Sequence, residues 1–430
     1  MRSSRPLPLF ILFLALGLIG ACGGGGGGGG GGSSSSASSS CSTPAAIALP
    51  NGSSVTPQAG SNVMTLTVNG STCSAAFNAV YPNKPCVSVT ICDSHGGNCQ
   101  LIDDILLDTG DNGLRIFRQV LNAGLLSALE NVSNPYECIE YGDGNTVWGQ
   151  VATATLTLGG ETTPSIPIQV IGSSTSDAKS GGGHWCQSQL ITVNQANYNG
   201  SLGLGVFAQD CGSTCQNSAA NGQYFTCNGT TCSGISVITT SQVANPVASL
   251  ATDNNGVIVE LPSVPSAGAG SATGFVIFGI GTQGNNTPSG VTPYGVDGLT
   301  HFGSFITTFN GLFYQGFLDT GSNGIFVSYA GQPSTNSGGF YTPSCTLSLS
   351  TTDSGATPPT NMGVVSFQIA DADTLFASGN NVFFNLGGTI PDNEFDWGLP
   401  FFLGRNVYIG IEGKPSTFNS IPVTGPFWAY

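Results

Sequence analysis

Strand-like patterns dominate the chain from residue 86 onward. Residues 86–92 (CVSVTIC) and 100–110 (QLIDDILLDTG) flank the turn-forming run DSHGGN and predict a hairpin. Residues 139–160 (IEYGDGNTVWGQVATATLTLGG) alternate apolar and polar positions and predict a longer hairpin, with Gly142-Asp143-Gly144 at its tip. Residues 257–263 (VIVELPS) and 274–281 (GFVIFGIG) read as two more strands, and residues 305–321 as a hairpin turning at Asn310-Gly311. Residues 118–132 are the best candidate for a helix, with Leu121, Leu125, Leu126 and Leu129 near a 3.6 period. Between these segments, residues 172–240 are rich in turns and cysteines and are interrupted by the apolar run 201–207 (SLGLGVF). The chain closes on 398–413 (GLPFFLGRNVYIGIEG) and an apolar FWAY end.

Two segments share one pattern. Asp108-Thr109-Gly110 and Asp319-Thr320-Gly321 each end an apolar run, and each is followed by Asn-Gly (Asn112-Gly113, Asn323-Gly324) and a second apolar run. One such triplet is ordinary turn chemistry. Two copies in matching contexts point to one structural unit used twice, which brings two carboxylates together, and a carboxylate pair sharing a proton is a general acid–base device. Downstream, Leu202-Gly203 and Leu403-Gly404 each end an apolar segment, and they are expected to be equivalent. The chain thus divides into two β lobes, residues 71–245 and 246–430, each long enough for its own core.

The ordered set of two Asp-Thr-Gly triplets, two Leu-Gly elements and a Tyr141-Gly142-Asp143-Gly144 hairpin resembles the pepsin-like aspartic proteases over residues 80–430. The resemblance implies an all-β bilobal fold with two pseudo-twofold-related lobes and few short helices. It implies an endopeptidase in which Asp108 and Asp319 face each other and activate a water, with no cofactor and no metal. Thr109 and Thr320 would cross-link the two loops, and the Gly110 and Gly321 N–H groups would orient the carboxylates. Ser322 would bond its carboxylate, and Tyr141, with Gly142 and Gly144, would form a flap over a peptide or protein substrate. The chain departs from that pattern at Asp111, where the family has Ser or Thr, and at Arg405, where it often has Asp. Asp111 is expected either to add a third charge beside the pair or to turn away and cap local N–H groups. The overall pattern also resembles an uncharacterised family of bacterial lipoprotein-like sequences, a domain of unknown function. That leaves two rivals to the enzyme: a non-catalytic envelope protein that uses the cleft to bind a partner, and a purely structural protein whose two carboxylates lie apart.

The N-terminus reads as an address. Arg2 and Arg5 precede an apolar run too short for a membrane span, and Ile19-Gly20-Ala21-Cys22 resembles a bacterial lipobox. Residues 1–21 are expected to be cleaved as a signal and Cys22 to be lipidated; the alternative is an ordinary secretory signal with an incidental cysteine. Residues 22–70 begin with ten glycines and a serine tract, and residues 23–46 alone would reach about 25–30 Å as a flexible tether. These features predict a lipid-anchored protein of the bacterial cell envelope. The chain carries 8 Lys and Arg against 23 Asp and Glu. An acid excess of that size argues against nucleic acid as a partner. Only 7% of residues are charged, which favours strands over solvated helices. Of the 13 cysteines, Cys92 with Cys99, Cys211 with Cys215 and Cys227 with Cys232 are spaced for small-loop disulfides. The spacings match no zinc pattern, and His95, His184 and His301 lie far from most of the cysteines. Residues 279–284 fit a dinucleotide fingerprint but run into Asn-Asn-Thr-Pro, which cannot open a helix, so they form a turn.

Overall fold

The strand patterns pair largely as their spacing predicts. In the computed structural model the described residues are 55, 59–78, 80–130, 135–172, 186, 190, 192–228, 231–298, 303–391 and 393–430. The leader, Cys22, the glycine tract, His184 and His301 lie outside them. Pro85–Asp93 and Cys99–Asp108 form the first hairpin, with Cys92 opposite Cys99 and the two joined by a disulfide. Tyr136–Glu140 and Thr146–Leu158 form the second, closed by the Tyr141 N–H donating to the Asn145 carbonyl at 2.8 Å. Phe305–Phe309 and Leu312–Asp319 turn at Asn310 and Gly311, whose φ angles of +50° and +78° suit the tight hairpin that Asn-Gly favours. The fingerprint-like run is a turn: the Gly281 N–H donates to the Asn286 carbonyl at 2.8 Å.

Two local expectations change. The helical period at 118–132 yields a 3₁₀ turn, Arg118–Val120, and then a helix, Ala123–Leu129. Asn122 separates them because its side chain accepts from the Leu125 N–H, the preferred cap chemistry for a helix start. Val63–Val68, inside the segment read as tether, is a strand that pairs with Ala272–Phe278.

The two motif strands have the same surroundings. Gly200–Leu204 runs parallel to Cys99–Asp108, with Gly203 opposite Asp108, and antiparallel to Asn112–Phe117. Glu394–Gly398 runs parallel to Leu312–Asp319, with Gly398 opposite Asp319, and antiparallel to Ile325–Val327. The inserted strand therefore ends on Gly203 in the first half and on Gly398 in the second. This corrects the expected partner: Trp397-Gly398, not Leu403-Gly404, is the counterpart of Leu202-Gly203. Leu403 and Gly404 follow the short helix Leu399–Phe402, where Leu403 bridges to Leu261. Gly398 is required by contact, since a Cβ there would lie 2.1 Å from the Gly324 carbonyl oxygen.

Among the described residues the fold is all-β with short helices only, and its two halves repeat one strand arrangement. A sheet of seven strands belongs to the second half, while the larger sheet joins both halves. In the larger sheet Gly256–Glu260 pairs with Ala272–Phe278 and with Asn406–Gly410, which pairs in turn with Phe427–Ala429. One apolar core runs through both halves, from Leu107, Leu114 and Leu202 to Leu318, Ile325 and Trp397. The three close cysteine pairs form disulfides, joined by Cys73–Cys86 and Cys138–Cys186.

Candidate active site

Each motif strand ends on its aspartate, and the chain then turns sharply so that the two turns meet. The threonines join them reciprocally. The Thr109 hydroxyl donates to the Leu318 carbonyl (2.9 Å) and accepts from the Thr320 N–H (3.0 Å). The Thr320 hydroxyl donates to the Leu107 carbonyl (2.7 Å) and accepts from the Thr109 N–H (3.1 Å). Both threonines are buried, so all four bonds form away from water.

The glycines let the carboxyls approach. A Cβ on Gly110 would lie 2.8 Å from Asp319 Cγ, and one on Gly321 would lie 2.9 Å from Asp108 Cγ. Their N–H groups hold the carboxyls from behind, Gly110 to Asp108 Oδ1 at 2.9 Å and Gly321 to Asp319 Oδ1 at 2.7 Å. The Cβ position of Gly321 lies 2.9 Å from Asp108 Oδ2 and 3.0 Å from Asp319 Oδ1, so the two carboxyls meet beside it. The carboxyls are therefore not apart, which removes the purely structural reading that required their separation. Burial, then the Asp319 and Asp111 charges, raise the Asp108 carboxyl well above the ordinary range.

The two halves differ one step beyond the triplets. In the second, the Ser322 hydroxyl donates to Asp319 Oδ2 at 2.9 Å. In the first, Asp111 stands at that position, and its Oδ2 accepts from Arg115 Nη1 at 2.7 Å while its Oδ1 accepts from the Asn112 N–H. Both expectations for Asp111 hold in part: it caps a local N–H, and its charge still acts on Asp108. Arg115 is fully buried and also bonds Asp210 (3.1 Å) and Glu137 (3.4 Å). One guanidinium thus faces three carboxyls, and burial together with the Glu137 charge raises Asp210 well above its ordinary value. The sequence offered no signal for this cluster beyond a lone arginine in an apolar run.

Tyr141 starts the hairpin tip, with Gly144 at φ +80° and the Asn145 N–H donating to Asp143 Oδ1. Its hydroxyl lies 3.5 Å from Ser201 Oγ, and the ring packs with Leu106, Phe117 and Tyr198. Gly142 has open space at its Cβ position, so the tip requires no glycine there on steric grounds. Tyr81, which the sequence reading missed, donates from its hydroxyl to the Gly321 carbonyl at 2.7 Å. Burial and the two aspartates raise its pKa, keeping the phenol neutral. Arg405 is buried, with its guanidinium 4.3 Å from the Phe401 ring and Asp353 and Tyr430 in its field.

Among the described residues, one group brings metal-ligating atoms close together: Cys73, Cys86 and Asp104. Those atoms are already engaged, because the two sulfurs form a disulfide and Asp104 pairs with the buried Lys84 at 2.7 Å.

The profile of the family described as "Protein of unknown function (DUF3443)" matches residues 58–430. A comparison with curated proteins returns no match. Among solved structures the chain is similar to an aspartic proteinase from Irpex lacteus, at 14% identity and a TM-score of 0.44 over 85% of this chain and 96% of that one.

Proposed function

The chain belongs to that family of unknown function, and from its own geometry we propose that it is an aspartic endopeptidase of the cell envelope, anchored through Cys22. The observation that carries the reading is the close approach of Asp108, which is buried, and Asp319, which is half-buried, between two reciprocally braced loops. Asp319 has two donors committed to it, Gly321 N–H and the Ser322 hydroxyl, and Asp108 has one, Gly110 N–H. The single shared proton therefore rests on Asp108. Ionised Asp319 takes a proton from a water held between the carboxyls, and the water oxygen bonds the peptide carbon. Asp108 gives its proton to the carbonyl oxygen as the C=O π bond opens. As the resulting diol collapses, Asp108 takes the proton of one hydroxyl, Asp319 gives its proton to the nitrogen and the C–N bond breaks, which restores the one-proton pair. No covalent intermediate arises, and no cofactor enters. The substrate class is extended peptide or unfolded protein.

A second reading draws on Asp111, which replaces a hydroxyl and adds charge beside the pair: the cleft then binds a partner without cleaving it. One experiment separates the two. Residues 41–430 are incubated with an unfolded protein substrate from about pH 3 to pH 7, the range in which a carboxyl pair holds one proton. Asp108→Asn and Asp319→Asn are run alongside. The hydrolase reading expects cleavage by the native chain and loss of at least about 10³-fold in both variants with folding intact. No cleavage at any pH by folded protein replaces it with the binding reading.

A further inference from the structure

Three successive carbonyls line the turn after Asp319, and each accepts a hydrogen bond. The Tyr81 hydroxyl donates to the Gly321 carbonyl at 2.7 Å, the Leu399 N–H to the Ser322 carbonyl at 2.8 Å, and Asn83 Nδ2 to the Asn323 carbonyl at 2.8 Å. Tyr81 and Asn83 belong to the other half of the chain.

The first turn is held from within its own half. There the Asp111 carbonyl accepts from the Gly205 N–H at 2.8 Å, and the Asn112 carbonyl from Arg115 Nη1 at 2.9 Å. Asn112 and Asn323 are equivalent, each four residues after its aspartate. Strand register makes Phe326 the equivalent of Arg115. Arg115 lies opposite Ser201, two residues before Gly203, and Phe326 lies opposite Asp396, two before Gly398. A phenyl ring has no N–H or O–H to give. Asn83 therefore supplies the bond that Phe326 cannot.

The amide of Asn83 has one orientation open to it. The residue is fully buried, and its φ of +57° lies in the left-handed region that asparagine adopts more readily than most. Its Oδ1 accepts from the Phe383 N–H at 2.7 Å while Nδ2 donates to the Phe383 carbonyl at 2.9 Å. A backbone N–H only donates and a carbonyl only accepts, so this pair fixes which end of the amide is nitrogen. The second Nδ2 hydrogen is left for the Asn323 carbonyl. The Asn83 N–H adds a bond to the Asn381 carbonyl at 2.7 Å. The loop carrying both residues is itself fixed. The Cys73–Cys86 disulfide closes it, Asn69 Nδ2 donates to the Tyr81 carbonyl at 2.8 Å, and the buried Lys84 pairs with Asp104.

We propose that Asn83 and Tyr81 are positioning residues for Asp319. A disulfide-closed loop of the first half sets the turn whose Gly321 N–H and Ser322 hydroxyl hold that carboxyl. Removing either loop donor leaves a turn carbonyl free to rotate, and the backbone that aims both groups at Asp319 rotates with it. The threonine bonds tie the two turns to each other, and this loop ties the second turn to the body of the first half.

The effect on rate rests on the hydrolase reading; the bracing of the turn does not. Asn83→Gly removes the amide and keeps a residue that adopts φ +57° without strain. Tyr81→Phe removes one oxygen atom, so the test stays open if Asn83→Gly fails to fold. Amide hydrogen exchange, read by mass spectrometry, compares residues 318–327 with 105–115 in the native chain and both variants. Exchange is expected to quicken about tenfold or more in 318–327 and to stay unchanged in 105–115. On an unfolded protein substrate, kcat is expected to fall about 100-fold in Asn83→Gly and about tenfold in Tyr81→Phe. KM is expected to change less than about threefold in Asn83→Gly, because a buried residue cannot touch substrate. The double variant is expected to lose less than the product of the two, since both donors hold one turn. Unchanged exchange in 318–327, or an equal rise in both segments, overturns the proposal whether or not the chain cleaves peptides. So does an unchanged kcat in a variant whose exchange rises in 318–327 alone while the native chain cleaves. A rise confined to 318–327 with no cleavage by the native chain leaves the brace standing and fails the hydrolase reading.

Discussion

At the residue scale the site depends on missing atoms. Gly110 and Gly321 have no φ angle in the left-handed region; they are glycine because the opposite carboxyl occupies the space of a Cβ. Alanine at either position must push one carboxyl away by several tenths of an ångström. Gly321→Ala is expected to lower kcat about 100-fold through that displacement, while the midpoint of thermal unfolding moves by only a few degrees. Steady-state rates and a melting curve on the same sample check this; unchanged kcat would show that the close approach is not needed. The aspartates, threonines and glycines of the site were legible in sequence because the triplets repeat. Tyr81 was not, because its bond to the Gly321 carbonyl joins residues far apart in the chain.

At the element scale, the bracing of the two turns turns four local groups into a link between halves of the chain. Thr109 and Thr320 each give and accept one bond across the join. Thr109→Val leaves the Leu318 carbonyl and the Thr320 N–H buried and unpaired, and Thr320→Val leaves the Leu107 carbonyl and the Thr109 N–H likewise. Each is expected to cost about 1–3 kcal/mol, and the double variant less than the sum, because both disrupt one network. Urea titration of the native chain, both single variants and the double variant tests this as a cycle; strict additivity would mean that the two hydroxyls act independently. Hairpins were the most legible elements, since each rests on a local alternation and a local turn. The helix at 118–132 was overestimated because its leucine period extends past Asn122, whose side chain starts a new helix rather than continuing one.

At the scale of the whole molecule, one buried carboxyl adds a side-chain tie between Tyr430 and the second half, beside the strand pairing of Phe427–Ala429. Asp353, fully buried, accepts from Thr307 Oγ1 at 2.8 Å and from the Tyr430 hydroxyl at 2.7 Å. Burial pushes its pKa up to about 6 despite those donors. The folded chain thus holds a proton that the unfolded chain releases near pH 4. Stability from this group is complete below about pH 4 and falls as pH rises through about 6, by on the order of 3 kcal/mol. Denaturant midpoints measured at pH 4 and pH 7 should show this loss in the native chain and a smaller one in Asp353→Asn. Equal losses in both would assign the pH dependence elsewhere, for example to the Arg115 cluster.

What the sequence determined by itself is local: the strands and their turns, the two equivalent triplets, and the cysteine pairs a few residues apart. Each of these rests on interactions between near neighbours, which spacing and residue type already express. Tertiary structure alone decided that Gly398 rather than Gly404 lies opposite Asp319, that Arg115 gathers Asp111, Glu137 and Asp210, and that Tyr81 reaches the Gly321 carbonyl. These depend on which strand inserts beside the motif strand and in what register. A parallel register joins residues far apart in the chain, and no local period encodes it, so the polar partners of the carboxyl pair emerge only when the two halves close.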